Sequence, residues 1–174
     1  IKSIGLFFGN KASDSGALLE EIVRYAQIAR REGIIALEEH VQKATDPFFK
    51  KAFLMVVDGI DSKSIAETLE LELHELDERG EIPAKVYEAA GGYCPTVGIL
   101  GAVLGLIHVM SNLADINAVG SGIAVAFVAT IYGVGSANLV FLPLGSRLKK
   151  IIAAEVEVKT MVLTGLEVVA SGAN

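Results

Sequence analysis

Between positions 86 and 146 the chain carries no Lys or Arg, and its only acids are Glu88 and Asp115. Two apolar runs lie inside this stretch, at about 95–113 and 120–144. Each is long enough to cross ~30 Å of hydrocarbon as a helix rising ~1.5 Å per residue. The polar joint between them, "SNLADINAVG", is too short for a domain, so the pair reads as a helical hairpin. A hairpin buried in a soluble core is the competing reading. Arg147, Lys149 and Lys150 follow the second run directly, whereas the joint has no basic residue. That asymmetry places the tip outside and both flanks in the cytoplasm.

The residues available inside the runs limit what they can do. Hydrophobic residues make up 52% of the chain, but aromatics only 6%, with no Trp. The apolar mass is therefore Ala, Val, Ile, Leu and Gly. Gly98, Gly101, Ala102 and Gly105 recur in the first run, and Gly122, Ala126, Thr130, Gly133 and Ala137 in the second. Such stripes let helix backbones approach closely in lipid. Neither run holds a carboxylate, so neither carries a proton on an acid of its own. His108, near the outer end of the first run, either titrates or serves structurally. Thr130, mid-span, either bonds back to its own helix or faces a polar path. Pro95 and Pro143 mark the inner ends of the two runs.

Ahead of the hairpin, positions 13–41 carry helical apolar spacing, with "SDS" offering caps and Gly33 interrupting. "TDP" at 45–47 is a helix start with Pro at the first helical position. Ser64 and Glu67 match a capping box, opening a helix that Gly80 and Pro83 close. This helix is strongly acidic, which suits a solvated face or a basic partner. No stretch alternates as a strand does. The fold class expected is all-α: an integral membrane protein with two membrane helices and a helical domain in the cytoplasm. The divisions expected are 1–85 for that domain, 86–145 for the hairpin and 146–174 for a C-terminal cytoplasmic helix.

The charge and motif pattern excludes other classes. Net charge is −6, and no basic patch suits nucleic acid. Cys94 is the single cysteine, so no internal disulfide forms, and it reads as a packing residue. "ELHELDE" around His74 lacks the paired histidines of a zinc protease. No nucleophile motif appears, so no enzyme and no cofactor are expected. The chain opens on Ile1 rather than Met and stops at Asn174 without a closing device; both ends are expected to be trimmed.

"PTVGILGAVLGLIHVMSNL" followed by "GIAVAFVATIYGVGSANLVFLP" resembles the third and fourth membrane helices of the MotA family of flagellar stator subunits. "ARREGIIALEE" and "LELELHELDERGEIP" resemble its cytoplasmic domain. The resemblance implies two further membrane helices ahead of this segment and residence in the bacterial inner membrane. It also implies a homopentamer around a MotB-like partner that supplies the ion-carrying aspartate. Arg30 and Glu38 would be the charged pair that pushes on the rotor switch protein FliG. Pro95 and Pro143 would take part in conformational coupling, and Thr130, Ala102 and Pro95 would line the ion path. Ala102 stands where sodium-driven relatives carry a threonine, which favours H⁺ over Na⁺ as the transported ion. An ExbB/TolQ-type energising subunit for envelope transport and a non-transporting membrane scaffold are the alternatives.

Overall fold

The computed structural model describes residues 15–170, which are almost wholly helical and contain no strand. Helix α1 spans Ser15–Glu32, a 3-10 turn Ile34–Leu37, α2 Glu38–Val41 and α3 Pro47–Val57. Helix α4 runs Ser62–Ser111 and α5 Ile116–Ser136; a π-helical segment, Ala137–Phe141, leads into α6, Leu142–Ala170. The capping residues expected at 13 and 14 lie outside the described residues.

The described residues divide into two units, one built from residues 15–80 together with 151–170, the other spanning Glu81–Lys150. In the first unit the core is aromatic. Tyr25, Phe49 and Phe53 are fully buried, with the Tyr25 and Phe53 rings edge-on at 5.2 Å and the two Phe rings 4.5 Å apart. Leu37, Val41, Ile65 and Leu69 surround them, and Val162, Leu163, Leu166 and Val169 of α6 belong to the same cluster. Burying each such large side chain contributes roughly 1.5–3 kcal/mol. Gly165 makes part of this possible, since a Cβ there would meet Ile22 Cγ2 at 2.7 Å. Lys51 and Glu72 pair across α3 and α4, and the Lys159 ammonium sits 5.3 Å from the centre of the Phe48 ring.

Local signals set several boundaries as expected. Asp46 caps α3 by accepting from the Phe49 N–H at 2.9 Å, with Pro47 in the first turn, where its missing N–H leaves no bond unmade. Gly33 has φ 89° and ψ 163°, a region essentially reserved for glycine, and it breaks α1 from the turn that follows. The α4 cap differs from expectation. Asp61, not Ser64, takes the first N–H groups: its carboxylate accepts from Lys63 N and Ser64 N, both at 3.0 Å, and from the Ser64 hydroxyl at 2.6 Å. Those bonds hold the Asp61 carboxyl below its ordinary value, the Ser64 side-chain bond contributing most. Glu67 turns instead to Lys63, one helical turn back.

Nor do Gly80 and Pro83 close α4. The helix passes through both and through Pro95. A proline deletes one bond to the carbonyl four residues earlier and crowds it, a local penalty that packing on the same helix can override. Here Gly80 receives Ile152 against its bare Cα, and Ala84 is fully buried, its carbonyl against Gly145. Pro143 likewise interrupts rather than ends its helix. Immediately before it the chain widens to π geometry, and the Leu142 N–H reaches back five residues to the Ala137 carbonyl. The wider turn relieves the clash between the proline ring and the carbonyl behind it.

Candidate functional site

The hairpin unit is organised by glycine. A Cβ on Gly98 would lie 2.9 Å from the Ala129 carbonyl oxygen and 3.0 Å from the Gly133 Cα. Gly105 meets the Gly122 carbonyl and Ala126, and Gly122 in turn receives Val109. The small residues of α4 and α5 therefore interlock at four- and three-residue steps down the whole pair. In lipid this contact, rather than water exclusion, holds helices together. At the tip, Asp115 caps α5, accepting from the Asn117 N–H at 2.9 Å. At the other end, Lys149 pairs with Glu88 at 3.0 Å, joining α6 to α4, and Glu81 pairs with Lys85 at 2.9 Å. Lys85 holds the Glu81 carboxyl below its usual value, with a smaller pull from Lys149.

The hairpin leaves two unlike flanks. Helical turns of ~100° per residue put Pro95 and Ala102 about 40–60° to one side of the Gly98–Gly105 seam. Thr130 falls about 40° beyond Ala126 in the same sense, which in an antiparallel pair is the same flank. The opposite flank is an apolar groove of about 550 Å³ that includes Tyr93, Val97, Tyr132 and Ser136 in its lining. The three expected path residues thus share one side, with Thr130 and Ala102 at similar depth. Thr130 donates its hydroxyl to the Ala126 carbonyl at 3.1 Å. That leaves the oxygen lone pairs to accept from a passing group, so back-bonding and facing a path are compatible. His108 is exposed near the end of α4, and Pro143 is exposed just after the π segment.

In the other unit, Arg30 and Glu38 are exposed on either side of Gly33, at the end of α1 and the start of α2. The turn between them is anchored twice. The Gly33 N–H donates to the Ala29 carbonyl at 3.1 Å, and the Tyr25 hydroxyl donates to the His40 carbonyl at 2.9 Å. Burial, then the neighbouring Glu21, push the Tyr25 phenol up to about 12. Neither the Tyr25–His40 tie nor the Lys149–Glu88 pair was foreseen from sequence; both join residues far apart in the chain that no local pattern links.

The apolar windows of the two long helices are only 17% and 11% buried, unlike the core helix of a soluble protein. Both are long and apolar enough to cross a membrane, which favours lipid over a buried hairpin. The sequence profile of the MotA/TolQ/ExbB proton channel family matches residues 40–161. The chain belongs to that family. It is similar to "Motility protein A" of Borreliella burgdorferi, 35% identical over 98% of this chain and 66% of the relative. Among solved structures it resembles the C. jejuni MotAB, with TM-score 0.92, 32% identity, and 99% and 68% of the two chains covered. The flagellar MotAB stator complex of Bacillus subtilis follows, at TM-score 0.85 and 33% identity over 97% and 66%. The chain thus spans about two thirds of the length of the curated relative it matches. As a family member it is an all-α membrane protein.

Proposed function

We propose that the chain is the third-and-fourth-helix segment, with its cytoplasmic helices, of a flagellar stator subunit. With a MotB-like partner it forms an ion channel that converts ion flow into torque. One observation carries the reading: the spans are interlocked by bare backbone yet hold no carboxylate, while the solved MotAB complexes they resemble contain a second kind of chain. Transport then needs an acid from that partner, an aspartate in a single membrane helix. Several copies, five by family resemblance, surround the partner in the bacterial inner membrane.

In this arrangement the flank of Thr130, Ala102 and Pro95 faces the ion path, and Pro95 and Pro143 flex the inner ends of the spans during the cycle. Arg30 and Glu38 press on the rotor switch protein FliG. One charge falling through 100 mV releases ~2.3 kcal/mol, the energy each step has available. The transported ion is H⁺. Na⁺ exchanges hydration oxygens for protein oxygens, and the Ala102 methyl offers none. Restoration of swimming by the full-length protein in a cell lacking its own stator subunit tests the reading. Speed unaffected by external sodium but lost with a proton uncoupler identifies the ion, and sodium dependence overturns that assignment.

A further inference from the structure

Between Arg30 and Glu38 the turn presents an isoleucine to solvent. Ile35 is 79% exposed, while Leu37, two residues on, is fully buried. Within the turn Leu37 points inward, Ile34 lies at the edge with 36% of its surface exposed, and Ile35 projects furthest into solvent. Both ends of the turn are tied, by the Gly33 N–H to the Ala29 carbonyl and by the Tyr25 hydroxyl to the His40 carbonyl. The His40 ring adds a third tie, with Nδ1 3.3 Å from the Ala36 carbonyl. An exposed isoleucine is ordinary on any surface. This one is held rigid between a basic end, Arg30 and Arg31, and an acidic start, Glu38 and Glu39.

We infer that Ile35 is the apolar centre of the rotor contact. The partner it fits has an apolar hollow bordered by an acidic group toward Arg30 and a basic group toward Glu38. The charges orient the encounter and suppress wrong registers, whereas the desolvated isoleucine supplies much of the holding strength. A fixed knob also loses little conformational freedom at each engagement, which suits a contact made and broken at every step. This inference rests on the reading of Arg30 and Glu38 as the rotor-facing pair.

The test uses the full-length protein with its B-type partner in cells lacking their own stator. Ile35→Ser should weaken binding to the isolated rotor protein roughly 10- to 100-fold and abolish most torque. Membrane assembly and ion flux through an unplugged complex should stay as in the wild type, and Ile35→Leu should swim. Normal swimming of Ile35→Ser, in a background where charge reversal of Arg30 or Glu38 stops it, overturns the inference and leaves the rotor reading intact. Loss of assembly or flux in Ile35→Ser also overturns it, since the side chain would then pack between copies of this chain. If neither Ile35→Ser nor the charge reversals alter swimming, the rotor reading falls together with the inference.

Discussion

Gly98 of α4 and Gly133 of α5 face each other with no side chain between them. A Cβ on Gly133 would stand 2.8 Å from the Gly98 Cα and 2.8 Å from the Cys94 carbonyl oxygen. The obstructing atoms are backbone, so they do not swing aside. Gly133→Val should force the two helices apart at a cost of ~1–3 kcal/mol, read as a lower melting temperature of the full-length complex in detergent. Gly120, also in α5, has nothing within 4 Å of its built Cβ. Gly120→Ala should therefore melt at or slightly above the wild type, since alanine favours helix by ~1 kcal/mol.

Gly33 offers the opposite case, because space is ample but the backbone angle is not. No atom lies within 4 Å of its built Cβ, yet its φ is 89°. Gly33→Ala should destabilise the helical unit by ~1–3 kcal/mol through strain alone. Chemical denaturation followed by circular dichroism reads the loss. Motility should fall more than stability, because the same residue sets the geometry between Arg30 and Glu38.

Tyr25 should give the helical unit an alkaline limit. Its phenol ionises near 12 when folded against 10.0 in the free side chain, so the folded state favours the neutral form. The associated stability is complete below about pH 10 and is lost as pH rises through about 12. Tyr25→Phe should lower stability by ~0.5–1.5 kcal/mol at neutral pH by deleting the bond to His40. It should also remove this alkaline limb, which denaturation midpoints measured between pH 8 and 12 reveal.

The membrane hairpin was legible in the sequence because lipid tolerates few charges, so its limits are written as the places where Lys and Arg return. The Asp46–Pro47 start and the Gly33 break were legible for a different reason: each depends on one or two residues acting on their own backbone. The helix ends placed at Gly80 and Pro83 were not real ends. Whether a proline stops a helix depends on what packs beside it, and Ile152 against Gly80 lies over seventy positions away. At the α4 start, Asp61 and Ser64 were both competent caps, and only the actual turn of the chain selects Asp61. Of the expected site residues, Thr130, Ala102 and Pro95 were chosen by resemblance, and the seam that gives them a common flank was visible only as a stripe of glycine and alanine. Apolar spacing groups Ile35 with Ile34, Leu37 and Val41 on one buried face, and the 3-10 turn overturns that for Ile35 by leaving it 79% exposed while Leu37 and Val41 are buried.

Thr130 should matter through its oxygen. Thr130→Ser keeps a hydroxyl that can bond the Ala126 carbonyl and still accept, so flux through the unplugged complex should stay within about twofold, less than ~0.5 kcal/mol. Thr130→Val preserves the shape but removes the oxygen, and flux should fall roughly tenfold, equivalent to ~1.4 kcal/mol. Ala102→Thr should leave assembly intact, because Ala102 is half-exposed beside the seam rather than in it.

The most direct measurement is ion flux into membrane vesicles containing the full-length protein, alone and with an unplugged B-type partner. Because the spans at 95–113 and 120–144 hold no carboxylate, flux should appear only with the partner present. It should vanish when the acid in the partner's membrane helix is changed to its amide. Cation flux of equal size from the protein alone would contradict the account.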